Sequence, residues 1–199
     1  MPNAEPMKAS RAISMALCLL LSGAMPAAQA FVVNINNGSR QLYFRVGDPG
    51  TGINTVSVSV PAGVLGNGVA QQMRSDAVET DSEYDGFAFC NLPNEVYVGG
   101  YYRRPGNGGG NATLTIDPPA DLTSTGGTTI PFSAVSWTSS GNGDSGAQPF
   151  PAGSFSGAST ISFPANTWRE SCHSFKYANT ALVAAGTYTG RVRYTLSAP

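Results

Sequence analysis

Histidine is nearly absent from this sequence, which has a single one, His173, in 199 residues. Hydrolytic triads need an imidazole as general base, and no nucleophile signature surrounds His173. Because it follows Cys172, a strand in this segment would turn the two side chains to opposite faces. We therefore expect a structural or surface histidine, in a protein that is not an enzyme and binds no cofactor.

Charge is also scarce. Charged residues make up 12% of the chain, the net charge is −1, and the only charge run is Asp81 to Asp85. Nucleic-acid and anionic-membrane partners are recognised through clustered Lys and Arg, which this sequence lacks. We expect neither nucleic-acid binding nor membrane insertion.

Long hydrophobic runs are limited to one, Ala12 to Leu21, which is shorter than the roughly 20 residues that span a bilayer. Lys8 and Arg11 precede this run, and the A-x-A sequence Ala28-Gln29-Ala30 follows it. This order is typical of a secretory signal peptide. The pattern predicts cleavage before Phe31 and export to the periplasm, the cell surface or the medium.

Cleavage would divide the chain into a signal peptide, residues 1–30, and a mature domain, residues 31–199. That length suits one hydrophobic core and is short for two. Of the 11 Lys and Arg and 12 Asp and Glu, Lys8, Arg11 and Glu5 fall in the signal peptide, which leaves 9 against 11. The mature domain is thus close to neutral.

Cysteine is rare as well. Cys18 lies in the predicted signal peptide, so Cys90 and Cys172 are the pair that remains. In an oxidising compartment such a pair is expected to form a disulfide, whereas a free catalytic thiol would be oxidised. Closing a loop of about 82 residues contributes roughly 4 to 5 kcal/mol in the chain-entropy treatment.

Strand patterns dominate what the sequence does contain. Apolar residues alternate or form short β-branched runs, with Gly, Pro, Ser, Thr and Asn between them, so we predict an all-β fold. Regular spacing of about ten short strands favours a β-sandwich or barrel. The predicted strands are 31–36, 41–46, 53–60, 86–90, 95–103, 112–117, 133–138, 159–163, 170–178 and 187–196.

Turn signals punctuate these strands. Asn37-Gly38 predicts a type I′ hairpin, because both of its central residues need a positive φ. Pro118-Pro119 and Gly126-Gly127 bracket a segment that we expect to carry no strand. Ser139 to Gly157 predicts a long loop at one end of the sandwich, the kind of place where binding often occurs.

Aromatic and basic residues on the fifth predicted strand form the candidate ligand surface. Alternation places Tyr102 inward, with Tyr97, Tyr101 and Arg103 on the other face. We predict that Trp137 lies in the core. Trp168 stands at the start of a strand, where it could lie either in the core or on the surface. Flat rings and guanidinium groups are common in recognition sites, and plain sheet surface is the alternative. The candidate set is Tyr97, Tyr101, Arg103 and Trp168.

Three carboxylates, Asp81, Glu83 and Asp85, precede Gly86 at the spacing of the first half of a calcium loop. The twelfth position of that loop would be Leu92, where a bidentate Glu is required. We expect a solvated acidic turn here and keep the three carboxylates as candidate metal ligands.

The C-terminal stretch Gly186 to Pro199 has the clearest pattern. One face of its predicted strand is apolar and the other polar, so it must pair with an earlier strand or with another chain. The apolar face comprises Tyr188, Gly190, Val192, Tyr194 and Leu196.

The sequence resembles bacterial chaperone–usher pilus subunits, in particular secreted pilins of the spore coat protein U type. The resemblance rests on an A-x-A signal peptide, a low-charge all-β chain with one disulfide, and a final G-T-Y-T-G-x-V-x-Y-T-L strand. The resemblance implies an immunoglobulin-like sandwich that lacks one strand. A periplasmic chaperone, and then the N-terminal segment of the next subunit, would supply that strand. The groove would be bordered by residues 187–196, with Tyr188, Val192, Tyr194 and Leu196 lining it or the core beneath.

This resemblance predicts an exported structural or adhesive subunit of a bacterial pilus, whose partners are other subunits, a chaperone and, for adhesion, a glycan. Family pilins begin with a detached donor strand, whereas Phe31 to Ile35 leads directly into the Asn-Gly turn. If Phe31 to Ile35 pairs within its own chain, the protein is a tip subunit or a self-contained domain. The alternative function is therefore a self-contained secreted carbohydrate-binding β-sandwich.

Overall fold

The computed structural model describes residues 35–50, 52–106, 109–141 and 150–199. The predicted signal peptide, residues 31–34 of the first predicted strand and residues 142–149 of the predicted long loop lie outside the described residues. Within the described ranges the chain is all-β, with two short 3-10 helices, Ala62–Val64 and Phe132–Ala134. No helix there has the length and apolarity needed to cross a membrane.

Fourteen strands are present in the described ranges. In chain order they are β1 (Gln41–Val46), β2 (Val56–Val60), β3 (Gln71–Gln72), β4 (Arg74–Ser75), β5 (Glu95–Arg103), β6 (Ala112–Asp117), β7 (Asp121–Ser124), β8 (Thr129–Pro131), β9 (Val135–Ser140), β10 (Gly153–Ser154), β11 (Ser159–Phe163), β12 (Trp168–Tyr177), β13 (Gly186–Thr189) and β14 (Arg193–Ser197).

These strands form three antiparallel sheets. The first has the order β1-β5-β12-β9-β10, with β3 added at the end of β12; the second is β11-β6-β14; the third is β4-β2-β13-β7-β8. Together they enclose one apolar core in a sandwich-like arrangement. Its buried side chains come from all three sheets and include Val98, Tyr102, Leu114, Ile116, Val58 and Tyr188.

Alternation along β5 gives the first sheet two distinct faces. Tyr102 points into the core, as the sequence predicted, while Tyr101 lies on the outer face opposite Tyr43 of β1 and Trp168 of β12. Trp137 of β9 is buried in the core, which confirms its interpretation.

A long loop before β5 covers part of the outer face and is held there by the disulfide. Cys90 and Cys172 are bonded, with Cα atoms 5.4 Å apart, as predicted. Around the disulfide, Tyr97 and Phe89 form a small second core. The predicted strand 86–90 is wrong: this segment makes only an isolated bridge between Asp81 and Ala88, because the loop arches over the sheet to the disulfide.

The Asn37-Gly38 hairpin is also absent. Neither residue has a positive φ, which a type I′ turn requires at both positions. The N–H of Ile35 donates to Asn166 O at 3.0 Å, and that of Gly38 donates to Arg104 O at 3.2 Å. Residues 35–38 therefore run beside the ends of β5 and β12 as irregular chain.

The prediction of no strand between Pro118 and Gly127 is wrong. Strand β7 lies in this segment, and the turn at Gly126-Gly127, where Gly127 has a φ of 80°, connects it to β8. The prolines end just before β7 begins, so they remove no hydrogen bond from it.

The last predicted strand is two strands. Its first part, β13, pairs with β2 and β7 in the third sheet, and its second part, β14, pairs with β6 in the second sheet. Residues 190–192 carry the chain from one sheet to the other.

Candidate functional site: an open groove beside the last strand

The passage between β13 and β14 depends on Gly190. A Cβ atom at this position would lie 2.6 Å from Phe132 Cε2 and 2.8 Å from Leu122 Cδ2, closer than real contacts allow. Glycine therefore permits the backbone to approach these two core side chains.

Two strand edges beside this passage have no second partner among the described residues. Within those residues, β1 pairs only with β5, and β14 pairs only with β6. They approach each other through Phe44 and Tyr194, whose ring centroids are 6.1 Å apart, and through Arg40 Nη1, which donates to Pro199 O at 3.0 Å. In the described ranges no backbone hydrogen bond joins β1 to β14.

A cavity of about 490 Å³ opens where these two edges diverge. We call it the groove. One wall is Val46 with residues 52–56, the other is residues 189–192 with Tyr194, and the floor consists of core side chains from several strands. The floor residues are Met73, Val96, Leu122, Phe132, Val135, Phe155 and Phe175.

The groove is nearly uncharged. Arg191 is the only residue among those lining it whose side chain carries a formal charge at neutral pH. Burial raises the pKa of Tyr194, so its hydroxyl stays protonated. The floor of the groove is therefore apolar, its walls include polar but mostly uncharged residues, and this lining suits an extended apolar peptide better than a charged ligand.

The four predicted groove residues divide between groove and core. Val192 and Tyr194 line the groove, whereas Tyr188 is fully buried and its hydroxyl donates to Ala184 O at 2.5 Å. Leu196 lies opposite Leu114 in the second sheet and packs against the core. The opposite wall, at Val46 and residues 52–56, was missed because nothing in the sequence indicates which distant segment faces the last strand.

The candidate ligand residue Tyr97 is unavailable to a ligand because it is fully buried under the disulfide loop. Its hydroxyl donates to Glu170 at 3.0 Å, and the Arg45 guanidinium lies 4.3 Å from the centre of its ring. Burial, and then the charge of Glu170, raises the pKa of Tyr97. Its role is to anchor the loop that carries Phe89, with which it makes an edge contact.

The structure brings Tyr101 and Trp168 together, as alternation and strand pairing require. Their ring centroids are 5.7 Å apart, and Tyr43 and Tyr84 add two further rings within 6.0 Å of Trp168. We call these four rings the aromatic platform. Arg103, two positions after Tyr101, lies on the same strand face, with its Nε donating to Ser39 O at 3.4 Å.

The three candidate metal ligands make hydrogen bonds or contacts with different neighbouring groups. Asp81 accepts from the Thr80 hydroxyl, Glu83 contacts Arg45 and the Tyr43 hydroxyl, and Asp85 accepts from the N–H of Phe87. Among the described residues no group of three or more His, Cys, Asp or Glu side chains is arranged to hold a metal ion.

His173 points to the face opposite Cys172, as predicted, and there it lies beside the core rings of Trp137 and Phe175. It is 2% exposed, and its Nε2 lies 3.3 Å from the Ser171 hydroxyl. A serine and an imidazole are thus adjacent, but both are sealed inside the sheets away from any substrate.

No protein-family model matches this chain, and no curated protein or solved structure matches it either.

Proposed function

We propose that this chain is an exported subunit of a bacterial surface fibre, with a structural or adhesive role, built as an immunoglobulin-like sandwich that lacks one strand. The groove receives an extended strand from another chain, first from a periplasmic chaperone and then from a neighbouring subunit. The strand adds to the free edges and fills the cavity with its alternate side chains.

The observation that supports this proposal is a cavity above the core that lies beside two strand edges with no second partner among the described residues. Side chains such as Val135, Phe155 and Phe175 belong to the core and also line the groove. A self-contained sandwich buries its core and protects its edges, because exposed edges and apolar patches promote association. An inserted strand would fill the cavity and pair with a free edge at the same time.

The length of the edges sets the length of the donor. Strand β1 has six residues, and a strand rises about 3.3 Å per residue, so the edge extends for roughly 20 Å. A donor of about six residues with apolar side chains at alternate positions would match this edge. Its apolar residues would point to the floor of the groove and its polar residues to solvent. Val46 is the β1 residue that lines the groove, so insertion along the whole edge must separate Phe44 from Tyr194 and Arg40 from Pro199.

The chain's own N-terminal segment is too short for this task if the signal peptide is cleaved before Phe31. Four residues would then precede Ile35, whose N–H is held by Asn166 near Tyr102, at the end of β1 remote from Val46. Four residues reach about 14 Å at most. On that condition we propose that the subunit accepts a strand and stands at the end of a fibre.

The proposal is tested by joining a donor strand to the chain. A four-residue turn after Pro199, followed by six residues alternating Val and Thr, would run back beside β14 into the groove. We expect the melting temperature of this fusion to rise by 10 °C or more over that of the original chain, because a domain of this size gains about 2 to 4 °C per kcal/mol.

The matched control has the same turn and strand with Ser in place of each Val. It preserves the backbone donors and acceptors but cannot fill the cavity, so it should raise the melting temperature much less. Equal effects of the two fusions, or no effect of either, would contradict strand complementation.

A further inference from the structure

The outer face of the first sheet carries a second candidate site, independent of the groove. We propose that the aromatic platform, formed by Tyr43, Tyr84, Tyr101 and Trp168, binds a pyranose ring of a glycan. This gives the proposed subunit a ligand-binding surface that strand complementation does not require.

Three of the platform rings are mutual neighbours. The centroids of Tyr43, Tyr101 and Trp168 are 5.7 to 6.0 Å apart, and their planes differ by 17° to 35°. Three near-parallel rings at nearly equal spacings cannot form one stacked column, since the outer two would then be farther apart. They therefore lie side by side with offset faces and form a shared aromatic surface.

The fourth ring, Tyr84, extends this surface toward solvent. It lies 5.9 Å from Trp168 and is 52% exposed, while Trp168 beneath it is only 6% exposed. Tyr43 and Tyr101 are each partly exposed. A flat ligand thus meets Tyr84 and the accessible parts of two other tyrosines, with the tryptophan as support.

The loop that carries Tyr84 is held in position before any ligand arrives. The buried Ser82 hydroxyl accepts from the N–H groups of Tyr84 at 3.1 Å and Asp85 at 3.2 Å. The Cys90–Cys172 disulfide anchors the end of the same loop to β12. A preorganised site loses less conformational entropy on binding than a mobile loop would.

Neutral polar groups, a carboxylate and a guanidinium group surround the rings. Tyr101 donates to the amide oxygen of Gln41 at 3.3 Å, Glu83 contacts Tyr43, and Arg103 follows Tyr101 on the same strand face. A sugar ring has an apolar C–H face that suits aromatic rings and hydroxyl groups that suit this polar fringe. A purely apolar peptide would remove these polar groups from water without offering them new hydrogen bonds.

The platform and the groove lie on opposite faces of β1. Phe44 contacts Tyr194 at the groove edge, whereas its neighbour Tyr43 belongs to the platform. Glycan binding and strand insertion therefore use different side chains, so each can be disabled without the other.

The test is saturation-transfer difference NMR on the exported full chain. The probes are the methyl glycosides of β-galactose, β-glucose, α-mannose and N-acetyl-β-glucosamine, each mixed separately with the protein. We expect at least one glycoside to receive saturation, concentrated on the C–H protons of one ring face. The signal should fall at least fivefold in Tyr84→Ala and in Tyr101→Ala.

Phe87→Ala is the matched control. Phe87 is 60% exposed on the same loop but makes no ring contact with the platform. Its loss should leave the signal unchanged, and the melting temperature of every variant shows whether it folds. Absence of transfer to all four glycosides, or an equal loss in Phe87→Ala and Tyr84→Ala, would overturn the proposal without affecting the groove.

Discussion

At position 173 an imidazole ring lies among aromatic side chains in the core of the protein. Its centroid is 6.1 Å from those of Trp137 and Phe175 and 6.3 Å from that of Phe150. Within the described part of the chain its Nδ1 has no hydrogen-bond partner. Burial lowers the pKa of His173 to about 3, because an apolar core disfavours the charged form.

This burial makes stability depend on pH. The unfolded chain, with an ordinary histidine pKa of about 6.5, binds more protons than the folded chain between about pH 3 and 6.5. The free energy of unfolding must therefore fall as the pH falls through this window, by up to about 1.4 kcal/mol per pH unit. His173→Phe should reduce that fall.

The measurement is the urea midpoint at pH 7 and pH 4.5 for both proteins. Acidic groups add to the loss in each: the N–H of Thr55, for example, lowers the pKa of Asp76. The change of midpoint between pH 7 and pH 4.5 is compared between the two proteins, and the difference gives the contribution of His173. Identical changes would show that His173 is already protonated, or hydrated, in the folded protein.

Gly190 offers a second prediction at the scale of single residues. Its replacement by Ala would force a methyl group against Phe132 and Leu122, and overpacking of this kind costs about 1 to 3 kcal/mol. Gly186→Ala is the control from the same stretch, because a Cβ there has nothing within 4 Å. Chemical denaturation of both variants is the measurement, and equal stabilities would refute the close approach at Gly190.

Single-residue orientation was the most predictable feature of this chain. Alternation alone placed Tyr102 and Trp137 inward, Tyr101 outward and His173 opposite Cys172, and the structure agrees. It also placed Tyr97 on the outer face, but that face is covered near the disulfide. Burial of an outer residue by a distant loop leaves no trace in the local pattern.

Among the larger elements, the disulfide joins the covering loop to the central strands of the first sheet. Replacing both Cys90 and Cys172 by Ser should lower the free energy of unfolding by roughly 4 to 5 kcal/mol, since the bond closes a loop with a sequence separation of 82 residues. Denaturation with urea, with the unreduced original protein as reference, measures this loss. A loss below about 1 kcal/mol would mean that the covering loop contributes little.

Elements with long, regular alternation were predicted well. The bounds of β1, β5, β6 and β11 agree with the prediction residue by residue. Strand β7 was missed because flanking prolines and glycines were interpreted as a loop. The division of the final strand into β13 and β14 was unpredictable, because it depends on which partner strands lie beside each half.

At the scale of the whole molecule, the proposed sites depend on contacts between distant segments. The periodicity of the last strand indicated one wall of the groove, but Val46 and residues 52–56 join it only through the fold. Likewise Tyr101 and Trp168 were candidates from the sequence, whereas Tyr43 and Tyr84 became neighbours through strand register and the covering loop. A single sequence does not show which strands pair, so these neighbouring residues could not be predicted from it.

The central claim, that the sandwich lacks a strand, is tested most directly by the thermal unfolding of the chain without and with a synthetic donor peptide. The peptide has six residues alternating Val and Thr, with Lys at both ends for solubility. We predict that the chain alone aggregates or melts broadly and that saturating peptide gives a monomer with one sharp transition at least 10 °C higher. A sharp, peptide-independent transition of a stable monomer would contradict the claim.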